Sequence, residues 1–394
     1  MILKNEKPEG VKKMTSLQQE RNQLILDIWQ GKRPKRVPMQ IMISLEYAIQ
    51  YKGYSLFREY YSPKHCYEAA EELAKLVNSD SLPTNPMNMA AVHRYAMNRF
   101  MVPGKDGFYQ HPNYCPMKFE EYPELIKDPL EFWARKLRPR ILGIVEEDKQ
   151  FGELRLNAIK NVVAAKYREY SPAELTKKYE RIDVQAMAMM SMAPLDYIAD
   201  YFRNFTSICI DIRRNPQWVL DACEAMLEFI VESIKRAPKI PGKINLVNLP
   251  LHMATYMKPK DFAKFYFPSF KKLIQSIQDH GFEAGFFCEE NWDPHLDALN
   301  DLPGRARIGF EAADPKLVVE KLGNRHIICN FFNTHFLRTA TPEEVRDEVK
   351  QLLDIVCVHG NFIFSFNKPF LCLGDARMEN IQAAVDAVLE YGVY

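Results

Sequence analysis

Several features are missing from this chain of 394 residues, and each absence narrows what it can be. Its 52 Lys and Arg are matched by 51 Asp and Glu, and basic clusters such as "GKRPKR" at 31–36 are only local. With no cationic excess to neutralise phosphates, the charge speaks against a nucleic-acid partner. Long hydrophobic runs are lacking too. The most apolar window, "VQAMAMMSMAPLDYIADYF" at 184–202, is broken by Gln185, Ser191, Pro194, Asp196 and Asp200. Hydrocarbon cannot accommodate so many polar groups, and no membrane span is expected. The N-terminal "MILKNEKPEGVKKMTS" has no apolar stretch followed by small residues, so it does not read as a secretory signal. Eight cysteines, at 66, 115, 209, 223, 288, 329, 357 and 372, include no CxxC pair and no dense framework. Free thiols in a reducing compartment follow, and a cytoplasmic location is expected. Neither GxGxxG nor GxxxxGK[ST] occurs, which removes the usual phosphate-cradling loops.

What is present is ordinary globular material, 47% hydrophobic and 26% charged, long enough for one large α/β barrel or two medium domains. Residues 1–15 form a polar tail. An amphipathic helix begins near Ser16, with Leu24, Ile25, Ile28 and Trp29 on one face and Gly31 as its stop. Then come an apolar strand candidate, "VPMQIMIS", and a helix, "HCYEAAEELAKLVNS". Residues 80–128 are rich in Pro, Asn, Met and aromatics, the chemistry of a long lid or binding loop.

From residue 239 a unit repeats: a short apolar run, a loop, then an amphipathic helix. The apolar runs are "KINLVNLPLH", "FEAGFFC", "RARIGFE", "RHIICNF" and "NFIFSFN". Five such units argue for a parallel sheet covered by helices. With strand candidates at 37–43, 78–82 and 205–211 the total reaches eight. An α/β fold of the TIM (β/α)8 barrel type is therefore expected, spanning 16–394 as a single domain with an N-terminal helical extension and a long loop; a doubly wound open sheet is second. "TPEE" at 341–344 predicts a capping box, Thr341 as N-cap and Glu344 as its acid.

In "GFFCEENWDPHLDALNDLP", Cys288, Glu289 and Glu290 crowd a strand-to-helix junction, which in a barrel lies on the catalytic face. Residue chemistry alone also allows two solvated carboxylates, with Cys288 facing the opposite side as a small buried hydrophobe. His252, in "LVNLPLHMATYM", ends another strand, as a metal ligand, a general base or a satisfied loop histidine. The loop "YQHPNY" offers Tyr109, Gln110, His111 and Tyr114 to close over an aromatic ligand, or simply to pack; His93 and Arg94 are similarly open.

The order of "KPKDFAKFYFPSFKKLIQSIQDHGFEAGFFCEENWDPHLDALNDLP", "GFEAADPKLVVEKLG", "ICNFFNTHFLRTATPEEVRDEVKQLLD" and "GDARMENIQAAVDAVLEYG" resembles the uroporphyrinogen decarboxylase superfamily, in its branch of corrinoid-linked methyltransferases. Residues 107–140 and "APLDYIADYFRN" at 193–204 extend the likeness. The resemblance implies a TIM barrel that moves a methyl group between a small methylated substrate, such as an aryl methyl ether, and a separate corrinoid protein. A homodimer is one assembly it allows.

Two departures matter. Where true decarboxylases carry an "RQAGRY"-like segment, this chain has "RVPMQIMISLEYAIQYKGY", in which Met39, Ile41 and Met42 cannot bind acetate groups. Where thiol-directed relatives carry an HxCGN-like zinc motif before a "PxLD" helix, counting back from "PHLD" puts Phe287 at the histidine and Glu289 at the cysteine. Carboxylate there disfavours a thiol acceptor, since zinc activates thiolate in a nitrogen and sulfur shell. By resemblance, Glu289 and His252 hold zinc or a catalytic water, Cys372 falls near the family's C-terminal metal cysteine, and Asn333 and His335 contact substrate with Tyr109, Gln110 and His111. Glu289 acting as a protonated acid is the metal-free alternative. Two other readings stand beside this one. The first is a degenerate barrel that binds a ligand or corrinoid partner. The second is decarboxylation of a smaller carboxylate, for which only Lys35, Arg36, Lys52 and Arg58 are at hand near residues 35–60.

Overall fold

Two-residue alternation decides which side chains face the barrel axis and which face the helices. In the computed structural model, which describes residues 15–88, 90–95, 98–142 and 149–394, a parallel six-stranded sheet runs in sequence order. A small antiparallel hairpin precedes it, β1 (Val102–Pro103) and β2 (Tyr109–Gln110). The sheet consists of β3 (Gln185–Met190), β4 (Ile244–Leu251), β5 (Glu283–Cys288), β6 (Ala306–Phe310), β7 (Ile327–Phe332) and β8 (Phe362–Phe366). All five apolar runs of the repeating units are strands.

Backbone hydrogen bonds carry the ring on from both edges of this sheet. Gln40 N–H donates to Phe364 O and Phe364 N–H to Pro38 O, so residues 37–43 lie parallel to β8. Ser81 N–H donates to Met39 O and Ile43 N–H to Pro83 O, adding 79–83; Ile182 N–H donates to Asp80 O, reaching the chain that enters β3. The two extra segments complete eight staves of an α/β barrel, although their pairing is too sparse to make regular strands.

Outward positions form the main core. Val37, Met39, Ile41, Ile43, Val247, Leu249, Ala284, Phe286, Ala306, Ile308, Phe362, Phe364 and Phe366 are buried there against the helices. Each large side chain contributes on the order of 1.5–3 kcal/mol by leaving water. The intervening residues face the axis. At the end where the strands begin, Ile25 and Ile28 of the Ser16–Trp29 helix pack on Ile327, Cys329 and Ile363. The predicted N-terminal helix is thus a plug. Above it, Arg307 on β6 donates to Gln40 of the 37–43 stave (2.9 Å) and to Asn248 on β4 (3.2 Å), and Gln40 donates to Gln185 on β3. Side chains from such distant staves meet only in the barrel interior.

One strand expectation fails. Residues 205–211 form part of a helix, Phe205–Arg214, and the third stave is instead Gln185–Met190, inside the apolar window. Asn204 caps that helix by accepting from Ser207 N–H, and Ile208, Asp211 and Ile212 are buried at helical spacing. β-Branched residues suggested a strand, but the cap and the three-to-four periodicity prevail. The long segment at 80–128 is not one loop: it holds a short helix (Ala90–Tyr95), the β1–β2 hairpin and a helix at Tyr122–Lys127. Thr341 and Glu344 do form the reciprocal capping box. Residues 1–14 of the expected polar tail lie outside the described residues. No helix among the described residues is long and apolar enough to cross a membrane.

Candidate active site

Three consecutive βα units bring three titratable side chains together at the end where the strands finish. Leu251 ends β4 and Cys288 ends β5 as neighbours in register. Glu289 N–H reaches back to Leu251 O (3.4 Å), so the pairing continues one step and sets His252 beside Glu289. His252 Nε2 lies 3.1 Å from Glu289 Oε1, and its Nδ1 lies 2.8 Å from Asp200 Oδ2. Asp200 comes from the unit after β3, where the Pro194–Tyr197 helix widens into a π turn at Ile198–Arg203. Such turns re-aim side chains at functional sites.

A third carboxyl group fixes the backbone of this site. Asp196, fully buried, accepts from His252 N–H (3.3 Å), Met253 N–H (2.6 Å) and the Tyr266 hydroxyl. Burial, reinforced by the charge of Asp200, pushes its pKa up to about 7, against hydrogen bonds from Tyr266 and Met253 that favour the anion. For His252, burial opposes the charged ring, but the hydrogen bonds and charges of Asp200 and Glu289 outweigh it and raise the pKa to about 10. The site therefore holds an imidazolium between two carboxyl groups at neutral pH.

That assignment has a measurable consequence. His252 carries a folded pKa above the ordinary imidazole value near 6.5, so its stabilisation is complete below that value and fades as pH rises through about 10. Between those limits wild type should lose roughly 2–4 kcal/mol relative to a His252→Gln variant, discounted for the exposed side of Glu289. Urea unfolding at pH 6 and pH 10 checks it, alongside NMR titration of the ring. A ring that titrates near 6.5 would contradict the arrangement.

The other two residues of the strand-to-helix junction separate cleanly. Cys288 faces the core, fully buried, and burial holds its thiol well above the ordinary range. Glu290 is exposed and takes a left-handed backbone (φ 57°), its N–H donating to Glu311 Oε2 at 3.0 Å. That turn leaves Glu289, with 42% of its side chain exposed, at the mouth beside His252.

His111 is the loop residue that reaches the site. Its surface is open to solvent, yet desolvation by nearby protein lowers its pKa, with Asp200 opposing and the charge of His252 reinforcing that shift. Its ring stands edge-on to Phe100 at 4.7 Å, and Phe100 stacks on Tyr201 at 4.5 Å, next to Asp200 in sequence. Tyr109 is drawn into packing, its hydroxyl donating to Ala90 O (2.8 Å) and meeting the Tyr61 hydroxyl at 3.3 Å. Gln110 is exposed on the hairpin and lies against Gly104. Asn333 and His335 follow β7 and are exposed, with Asn333 Oδ1 accepting from His335 N–H at 2.9 Å. Among the described residues, no hydrogen bond or ion pair joins either of them to the histidine and carboxyl cluster.

Both ring nitrogens of His252 face carboxyl groups, Nδ1 toward Asp200 and Nε2 toward Glu289, so a zinc ion held by Glu289 and Nε2 would take the place of the proton between them. Cys372 sits on the turn after β8, where its thiol donates to Asp375 Oδ1 (3.1 Å); burial and that bond raise its pKa. Among the described residues, no three His, Cys, Asp or Glu side chains are grouped to hold a metal ion. Of the basic residues near 35–60, Lys35 and Arg58 are exposed and two are paired. Arg36 pairs with Asp80 at 2.7 Å and Lys52 with Glu72 at 2.9 Å.

Asp196 and Asp200 went unrecognised in the sequence, where they counted only as interruptions of an apolar window. Their spacing of four, on one face of a helix that follows a strand, was the available signal.

An α/β barrel with charged side chains gathered at the C-terminal ends of its strands is the architecture of an enzyme. A sequence profile of the uroporphyrinogen decarboxylase family matches residues 170–391, more than half of the chain, and the chain belongs to that family. Among solved structures it is similar to a methyltransferase from Methanosarcina mazei. The TM-score is 0.60 at 15% sequence identity, and the match covers 94% of this chain and 98% of the other. At that identity the likeness shows a shared fold. No curated protein sequence matches the chain.

Proposed function

We propose that this protein transfers a methyl group from a small methylated compound, of the aryl methyl ether class, to a corrinoid carried by a separate protein. The observation that supports it most directly is the His252 imidazolium, held between Asp200 and Glu289 at the barrel mouth. A corrinoid supplies a cobalt nucleophile that takes the methyl carbon. As the carbon–oxygen bond breaks, its electron pair stays on oxygen, and an unassisted alkoxide or phenoxide leaves poorly. His252 Nε2–H, turned toward the open side with Glu289, donates its proton to that oxygen, so the product departs as a neutral hydroxyl. Asp200 keeps the ring oriented through Nδ1–H, and Asp196 fixes the backbone beneath it. Glu289, exposed to water, orients the proton before transfer and relays its replacement afterwards. In this reading the acid is His252, and Glu289 is its partner rather than the donor.

Phe100, His111 and Tyr201, with ring centroids 4.5 and 4.7 Å apart and Tyr197 and Trp133 packed behind Tyr201, give an aromatic surface beside Asp200 that suits an arene. The test is single-turnover methyl transfer from methoxylated aromatics and from methylamines to a reduced corrinoid protein, read by the cobalt absorption spectrum. Methylation is expected from methoxylated arenes. No spectral change across the panel, with a corrinoid protein shown competent in a control, would refute the reading.

A further inference from the structure

We propose that the barrel interior holds a carboxylate-binding subsite centred on Arg307, and that the substrate is a methylated aromatic carboxylate lying along the barrel axis. Only the identity of the methylated end rests on the methyl-transfer reading; the subsite stands on its own geometry.

Arg307 alternates with the outward-facing Ala306 and Ile308, so its side chain enters the barrel. Of its five N–H donors, one is taken by Gln40 Oε1 and one by Asn248 Oδ1. Among the described residues it forms no ion pair, although the guanidinium is always charged. Placing a cation inside a protein without a counter-charge is costly, and a bound anion removes that cost. The two other inward-facing charged groups near it do not supply one. Arg305, the next inward residue toward the plugged end, is held by Ile28 O and Asn361. Glu283, inward on β5, makes no ion pair among the described residues, and the cation whose charge it feels is Arg305.

Glycines let the amide side chains of the polar layer pack close beside Arg307. A Cβ at Gly285 would lie 2.5 Å from Asn248 Oδ1 and 3.6 Å from Arg307 Nε, and one at Gly309 would lie 2.7 Å from Asn330 Oδ1. One inward step above Gln40 and Gln185, Met42 and Met187 are 59% and 58% exposed, so solvent reaches the interior on that side of the polar layer, while Phe287 lies against Gly309 on the other. Four residues further along β4 and β5 from Asn248 and Gly285 stand His252 and Glu289, about 13 Å along the strands at ~3.3 Å per residue. One aromatic ring bearing an acid at one end and an ether at the other fits that span. The planar fork of a guanidinium matches a carboxylate, and the flanking amide oxygens disfavour a bulkier, more highly charged phosphate. The pairing stabilises the carboxylate as a handle, which works against its loss as carbon dioxide.

Calorimetry with 4-methoxybenzoate, 4-hydroxybenzoate and the neutral 4-methoxybenzamide tests this, on wild type, Arg307→Gln and Arg307→Lys, with no corrinoid protein present. Both acids should bind wild type at least tenfold more tightly than the amide. Arg307→Gln should erase that preference and Arg307→Lys should keep part of it. Should Arg307→Gln fail to fold by circular dichroism, the wild-type comparison and the lysine variant decide. Equal affinities for acid and amide, no binding of either acid, or a preference that survives Arg307→Gln would each overturn the subsite. Because 4-hydroxybenzoate carries no methyl group, a preserved acid preference without methyl transfer would refute the proposed reaction and leave the subsite intact.

Discussion

Replacing His252 by Gln is expected to slow methyl transfer by ~10²–10⁴-fold, the range associated with loss of a positioned general acid. Glutamine can still accept or donate one hydrogen bond toward Asp200 or Glu289, but it has no proton to give the leaving oxygen. The effect should fall on the bond-breaking step and leave substrate affinity close to wild type, since the carboxylate end is held four residues down the strands. Leaving-group chemistry supplies a sharper check. Substrates that depart as already stable phenoxides, with electron-withdrawing ring substituents, should be affected least by the substitution. Asp200→Asn complements it: with one of its two partners neutral, the His252 pKa falls from about 10, and the alkaline limb of the rate profile should move to lower pH. A His252→Gln enzyme within fivefold of wild type on an unactivated methoxyarene would remove His252 from the acid role.

The largest stability effect should come from Asp80→Ala, at a cost of about 3–5 kcal/mol. Asp80 is almost completely buried where the barrel closes. Its carboxylate receives Arg36 at 2.7 and 2.8 Å, pairs with Arg21 Nε at 3.2 Å, and accepts from Met39 N–H at 2.8 Å. Met39 lies on the stave beside β8, and Asp80 O in turn accepts from Ile182 N–H at 2.8 Å on the way into β3. One residue thus ties together the staves that link the two edges of the six-stranded sheet. Removing the carboxylate strands two guanidinium groups in the interior, one of which, Arg21, already has its pKa lowered by burial. Urea unfolding reads the loss directly. A cost below 1 kcal/mol would mean that closure does not depend on this cluster.

Much of the fold was legible along the chain because each βα unit of the second half is locally consistent. "FEAGFFC" alternates, "TPEE" caps, and each helix repeats its apolar residues at three and four. The first half was less readable. Its staves near 37–43 and 79–83 were legible, but β3 was not: Met187 and Met190 are exposed while Met189 packs on the core, and a register shift between Met187 and Met189 breaks the alternation. At the site, the family resemblance singled out Glu289 among the junction residues, and a strand end made His252 a candidate. The spacing of Asp196 and Asp200 was a local signal, but nothing local could reveal that Asp200 meets His252, 52 residues away in sequence.

The sequence by itself determined the succession of elements, the alternation that sends Cys288 outward and Glu289 to the mouth, and membership of a barrel family. Only the tertiary structure decided what those residues are chemically. A proton on His252 depends on two carboxyl groups from different units converging within about hydrogen-bond reach of one ring, and the exposure of Arg307 without a counter-charge depends on side chains crossing the barrel from opposite staves. Both are properties of distances through space, which the order of residues along the chain does not contain.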